Sequence, residues 1–430
     1  MEELLLLDKL RRQYDQTPYP KVAIESVHDR NSLWLHSFTT PYYHRHRRLP
    51  PSGAPLRILD AGCGSGFTSL ALAQANPGAQ LVCLDLSAAS LAVACERLAF
   101  HGFTDVEFHD LPLEQVGELG RHFDLINCDE VLYLLPDPGV GLAALAGVLA
   151  PDGILRANLH SAYARAPVFR AQRVFQMMGL TNGTPGEAEM ELVRSTMDAL
   201  NNSTHLKIDT WVPCIHLHDD LEWYQLNYLL AGDKGYTVPE VFALLAGANL
   251  EFISMVLWPT WDVRCLFRDP DRLPPLFAER LADKSPIERL HLYELIHSPH
   301  RLIDFWCAHP AQQPAAAKPP ALEHNLRLHL HPQLRTDSLR ERLEQALGEG
   351  KPFELQQHIR FPFGEPLPDA QMAGCLLPLW DGPMELERFE RQWLEFAHAT
   401  GQPEPVARPG AARRFAAAAE GLLYLLFEFT

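Results

Sequence analysis

The chain is short of basic residues. Lysine and arginine number 37 against 54 aspartates and glutamates, a net charge of −17 over 430 residues. Phosphate backbones need a basic face, so this balance argues against a nucleic-acid partner. The one local exception, His44-Arg45-His46-Arg47-Arg48, reads either as a small basic patch or as a helix end whose cations complement the helix dipole. Long apolar runs are missing too: none reaches 18 residues, and no membrane span is expected. The opening MEELLLLDKL lacks the basic start and long apolar core of a signal peptide. The eight cysteines form no C-x-x-C pair, which argues against a disulfide frame or a zinc site. They read as free thiols in a reducing, cytoplasmic compartment. His216, His218, Asp219 and Asp220 stand close together without a further ligand cluster, and no metal is expected. Hydrophobic residues make up 47% of the chain, enough for two or three folded domains rather than disorder.

What is present begins at LRILDAGCGSGF, Leu56 to Phe67. An apolar run ends at Asp60, glycines follow at 62, 64 and 66, and the helical pattern TSLALAQA comes next. Strand, tight turn and helix start follow, with glycines letting the backbone approach a ligand. The next apolar run, LVCLDLS, ends in Asp85 and Leu86. An acid there can take both hydroxyls of a ribose. The dinucleotide fingerprint G-x-G-x-x-G needs a glycine where Phe67 stands, and the spacing here is G-x-G-x-G.

That spacing, preceded by Asp60, resembles motif I of class I methyltransferases that use S-adenosylmethionine (SAM). The resemblance implies that the loop Gly62-Cys63-Gly64 with Gly66 makes room for the methionine part, and that an acid near the turn contacts its ammonium. Cys63 itself reads as a small buried filler. DVEFHD gives a short strand ending at Asp110 and Leu111, where the family's acid holds the adenine amino group. HFDLINCDEVLYLLPDP gives a strand from Phe123 to Cys128 and an exit loop with Asp129. The family phrase for that loop is GVLHHLPDP, which Glu130 to Pro138 follow closely, with Tyr133 in place of a frequent histidine. Strand and helix alternate four times, which predicts a parallel sheet with helices on both faces and a ligand at the carboxyl ends of the strands. Asp60, Asp85, Asp110 and Asp129 all fall at such ends. Singly, each also reads as a turn or capping residue.

Upstream, QYDQTPYP, Gln13 to Pro20, is similar to the "YD-x-x-PYP" segments that precede the SAM fold in two groups. One is a set of poorly characterised bacterial methyltransferases, with cyanobacterial-looking phrasing here. The other is bacterial protein-lysine methyltransferases with a regulatory domain. Tyr14 and Tyr19 read as a lid over the cofactor or as a strap packed on the sheet. The expected fold class is thus α/β: a Rossmann-like seven-stranded methyltransferase sheet with a helical insertion and a small winged-helix-like C-terminal domain. Expected boundaries are a lid or strap over 1–50, the SAM core over 51–161, and a helical substrate insertion over 162–235. Completion of the sheet over 236–310 would use WDVRCLF as the antiparallel strand. A Pro/Ala linker covers 311–321 and the accessory domain 322–430. Within it Glu385, Glu387, Glu390 and Glu395 disfavour groove reading. Trp211, Trp223, Tyr224 and Tyr228 of the insertion could line an acceptor pocket or form a core of their own.

The expected reaction is methyl transfer from the SAM sulfonium to a nitrogen or oxygen nucleophile of a small molecule, helped by positioning and desolvation. Alternatives are a protein (lysine) methyltransferase and a non-catalytic SAM-binding docking or sensing protein. Tyr14, Tyr133 and His160 are the candidates near the methyl. Tyr133 would orient the acceptor, since its phenol is neutral near pH 7. His160 would act as base or as a capping residue.

Overall fold

The structure is a computed structural model that describes residues 2–51, 53–217, 221–230, 232–310, 326–349, 351, 353, 374–399, 401, 407, 408, 410–421 and 423–429. It divides into two compact units. One comprises Met1–Ser26, Leu56–Leu70 and Ala79–Pro310, the other Val27–Pro55, Ala71–Gly78 and Ala311–Thr430.

The first unit is built on strands β1 (Arg57–Ala61), β2 (Gln80–Asp85), β3 (Glu107–Asp110), β4 (Phe123–Cys128), β5 (Leu149–His160), β6 (Glu251–Met255) and β7 (Leu302–Ala308). They form one sheet in the order β3-β2-β1-β4-β5-β7-β6. The first five run parallel, and β7 enters antiparallel between β5 and β6. The parallel strands β1, β2 and β4 are near-continuous apolar runs because both faces of such a sheet are covered. Helix starts are written in the sequence. The Ser87 hydroxyl caps Ala88–Phe100 by accepting from the Ser90 N–H. Asp137 caps Pro138–Gly147 by accepting from Gly139, with proline at the first helical position.

The antiparallel strand is not WDVRCLF. Trp258–Trp261 and Val263–Leu266 are 3-10 turns, with Pro259 opening the first and the Asp262 carboxylate capping the second at the Arg264 N–H. Both residues break an extended run. The sheet closes instead with LIDFWCA, whose Ile303, Phe305 and Cys307 are buried in the main core.

The insertion carries helices Ala166–Met177, Glu187–Ala199 and Leu221–Asn227 and a π-helical turn, Lys207–Trp211. Its aromatics make a core of their own. Trp211, Tyr224 and Tyr228 are buried with Phe175 and Met197, and Trp223 packs partly buried against them. His218, Asp219 and Asp220 lie outside the described residues. Among the described residues no cluster could hold a metal ion, and no helix is long and apolar enough to cross a membrane.

The second unit contains an antiparallel sheet in the order β10-β8-β9, from β8 (Leu326–Leu330), β9 (Met384–Glu385) and β10 (Leu425–Phe429). Helices Asp337–Gly348, Leu386–Ala399 and Ala411–Gly421 accompany it. The Pro/Ala segment 311–321 lies outside the described residues. Within this unit the tail is stitched to Val27–Pro55. The Tyr43 hydroxyl accepts from the Phe427 N–H at 2.8 Å and donates to Glu420 at 3.1 Å, and Arg47 reaches the same buried carboxylate at 3.0 Å. His331 Nε2 meets the Thr40 hydroxyl at 3.1 Å, and Gln333 donates to the Ala75 carbonyl at 2.7 Å. Residues expected to belong with the N-terminal lid therefore share a unit with the tail. A chain ending at Pro310 is expected to be recovered as aggregate, because the buried Tyr43 and Thr40 lose Phe427, Glu420 and His331. Size-exclusion chromatography tests this, and a monodisperse fragment with the melting temperature of the full chain would refute it.

Candidate active site

The loop after β1 turns through three glycines in the left-handed region, with φ of 81° at Gly62, 53° at Gly64 and 79° at Gly66. At Gly64 the need for glycine is doubled: a Cβ would lie 2.2 Å from the Tyr19 carbonyl oxygen. The same carbonyl accepts from the Ser65 N–H at 2.7 Å, and the Ser65 hydroxyl donates to the Pro20 carbonyl at 2.7 Å. The strap carrying Tyr19 is thus seated directly on the loop. Arg97, missed in the sequence because it lies inside a helical pattern, holds the rest of the strap. Its buried guanidinium donates to the carbonyls of Ser65, Val22 and Ala23.

Asp85 braces the loop from β2. Its Oδ2 accepts from the Gly64 N–H at 2.8 Å and its Oδ1 from the Ser87 N–H at 2.9 Å. Burial pushes its pKa up, against those two backbone bonds. Asp60 is 1% exposed and accepts from the Ser69 hydroxyl at 2.6 Å and Asn127 Nδ2 at 2.8 Å. Burial raises its pKa to about 6. Asp129 accepts from Asn158 Nδ2 at 2.5 Å.

These groups line a cavity of about 220 Å³. Because the sheet runs β3-β2-β1-β4, its wall passes from Leu111 and Leu113, over Asp85 and Leu86, along the glycine loop, to Asp129 and Glu130. Tyr14, Tyr19, Asp60, Gly62, Cys63, Gly64, Asp85, Leu86, Leu111 and Asp129 lie on it, as do Leu7 and Leu10 of the N-terminal helix. Gly66 does not; it abuts Ala94, where a Cβ would come within 2.7 Å of the backbone. Asp110 does not either: it is half exposed, 3.7 Å from the Arg11 guanidinium. The acid on that side of the cavity is Glu114, four residues further on, whose buried Oε2 has no hydrogen-bond partner among the described residues.

Tyr133 and His160 are brought together, but behind the wall. Their rings stack at 3.6 Å, and they are 5% and 2% exposed. His160 Nδ1 is 2.6 Å from Asp233 Oδ1, and its Nε2 is 3.3 Å from Arg301 Nη1. A carboxylate only accepts and a guanidinium only donates, so the proton sits on Nδ1 and the Nε2 lone pair faces Arg301. Burial lowers the His160 pKa, and burial raises that of Tyr133, assisted by the charge of Glu130. Glu130 joins this group to the cavity. Its carboxylate takes both Arg301 Nη groups and the Tyr133 hydroxyl, and its N–H donates to Asn158 Oδ1 at 2.8 Å. Its backbone sits at φ 60°, a conformation costing a non-glycine residue roughly 1 kcal/mol or more.

The site fits SAM by its chemistry. Gly62 and Gly64 line the cavity without a side chain, and the carboxylates of Asp60 and Asp129 complement a ligand with an ammonium and a sulfonium. Asp85 offers acceptor oxygens to a diol, and the leucine wall suits a flat base. A methyltransferase-domain family model matches residues 53–225. The chain is 32% identical over 287 residues to an uncharacterised protein of Synechococcus, covering 66% of this chain and 67% of that one. It is 35% identical over 101 residues to the ubiquinone biosynthesis O-methyltransferase of Neisseria meningitidis, covering 23% of this chain and 42% of that enzyme's length. PKMT2 from Rickettsia typhi in complex with AdoHcy superposes with a TM-score of 0.61 at 17% identity, over 96% of this chain and 78% of that one. The chain belongs to the methyltransferase-domain family, and it is a SAM-dependent methyltransferase with the Rossmann-like seven-stranded fold.

Asp60 gives this site a measurable signature. A carboxyl whose pKa is higher folded than unfolded contributes its stability below about pH 4 and loses it as pH rises through about 6. At neutral pH its ionisation costs the ligand-free protein about 3 kcal/mol. Ligand-free Asp60→Asn should therefore melt above the wild type at pH 8 and match it near pH 4. Differential scanning fluorimetry across that range tests this, and parallel curves would show that Asp60 titrates normally.

Proposed function

We propose that the enzyme methylates an oxygen or nitrogen nucleophile of a small molecule. SAM supplies a methyl group on a positively charged sulfur. The adenine amino group would donate to the unpaired Oε2 of Glu114, the ribose hydroxyls to Asp85, and the ammonium would face Asp60 and Asp129. Tyr14 and Tyr19, on the cavity wall, would exclude water over the reacting atoms. The observation that carries the small-molecule reading is the packed polar cluster next to Asp129. Behind Glu130 lie Tyr133, His160, Asp233 and Arg165, all buried and hydrogen-bonded or stacked, which suits a compact acceptor held at its nucleophile. In this arrangement His160 does not take the acceptor's proton itself. Its Nε2 is turned to Arg301, and it acts by holding that guanidinium in place.

A protein lysine acceptor is the second reading, favoured by the shared fold with PKMT2 over 96% of the chain. A net charge of −17 would attract a basic peptide. A cell extract incubated with the full-length protein and methyl-labelled SAM, then split into protein, RNA and small-molecule fractions, separates the readings. Label is expected in the small-molecule fraction. Label confined to protein would establish the second reading instead, and SAM binding without label in any fraction would leave a docking or sensing protein.

A further inference from the structure

Glu130 is a non-glycine residue held at φ 60° on the cavity wall. Glycine would adopt the conformation freely and would bring no side chain. Here a charged side chain is kept in a strained backbone and is braced from three directions. Asn158, fully buried on β5, takes its N–H at 2.8 Å. The buried Tyr133 hydroxyl donates to its Oε2 at 3.1 Å. Arg301, immediately before β7, grips both carboxylate oxygens with its two Nη groups. Arg301 is itself backed by His160 Nε2 at 3.3 Å, and His160 by Asp233, which is tied in turn to Arg165 and Gln172. Backbone strain of this kind persists where the surroundings over-determine it, and it concentrates at ligand clamps.

The bonding leaves acceptor capacity on the carboxylate of this wall residue. Among the described residues Oε2 accepts from Tyr133 and from Arg301 Nη1, whereas Oε1 accepts from Arg301 Nη2 alone. A carboxylate oxygen can accept two hydrogen bonds. We infer that Glu130 is the acceptor anchor of this enzyme: its Oε1 accepts a hydrogen bond from the O–H or N–H of the methyl acceptor and fixes the nucleophile for attack. The acceptor class that follows is a neutral hydroxyl or amine donor. A second anion in that position would meet the Glu130 charge. Arg301 and Tyr133 are positioning residues, which act through Glu130 and hold it in one orientation. Methyl transfer then forms the bond from the acceptor's oxygen or nitrogen to carbon as the carbon–sulfur bond breaks, and the electron pair stays on sulfur as the neutral thioether. The displaced proton leaves to solvent.

This inference rests on the methyl-transfer reading, and the experiment separates the two. Wild type, Glu130→Gly and Glu130→Gln are compared as full-length proteins. SAM affinity is measured by calorimetry, thermal stability by fluorimetry, and label transfer from methyl-labelled SAM into the small-molecule fraction over a dilution series of one cell extract. For Glu130→Gly the expected result is SAM affinity within twofold of wild type, with a melting temperature lowered by the loss of the Arg301 and Tyr133 partner and partly restored by the relieved backbone. The extract concentration giving half-maximal transfer should rise at least tenfold. Glu130→Gln, which keeps an acceptor oxygen and loses the charge, should fall between the two. Wild-type transfer by Glu130→Gly would overturn the inference, as would a parallel loss of SAM affinity, which would make Glu130 part of the cofactor wall. If wild type binds SAM and labels no small molecule, the small-molecule reading fails first and the anchor falls with it.

Discussion

The arrangement depends on one buried polar chain laid across the carboxyl edge of the sheet. The Ser69 hydroxyl donates to Asp60 on β1, Asn127 on β4 bonds Asp60, and Arg156 on β5 bonds Asn127 and grips Asp304 on β7. Four neighbouring strands are tied together by side chains that water barely reaches. Buried charges are tolerable only when each is paired and hydrogen-bonded. Arg156 therefore needs its carboxylates, and Asp60, bonded only to neutral groups, remains an incompletely compensated anion. That residual charge is what makes the edge a place for a cation. A hydrophobic replacement of the chain could keep the sheet but not the attraction.

The covering elements are coupled to this edge through backbone groups. Tyr19 and Pro20 lie on the glycine loop through their carbonyls, Gly64 is held from the other side by Asp85, and Arg97 gathers three carbonyls of the strap and loop. Loop, strap and Asp85 are thus one hydrogen-bonded assembly.

The part of the cavity wall around the glycine loop was legible because its signals are local. Gly62, Gly64, Asp60 and Asp85 each stand at the end of an apolar run, and spacing alone places them on one edge. What was not legible depends on distance in the chain. Asp233, Arg301, Arg156 and Asp304 are charges without a motif, and only folding brings them to Glu130, His160 and Asn127. Trp261 and Val263 carry the apolar content of a strand, but Pro259 and Asp262 turn that stretch into 3-10 helix, and the closing strand comes some way later at Leu302. Asp110 sits at the expected strand end, yet Arg11 of the N-terminal helix lies beside it, and the wall is taken by Glu114. The aromatic-rich insertion was read two ways, and its rings serve its own core.

Calorimetric titration of the full-length chain with SAM, with its demethylated product and with NAD tests the central claim most directly. The account predicts saturable heat with SAM, displacement of SAM by the demethylated product, and no heat with NAD. Saturable NAD binding without SAM binding would contradict it.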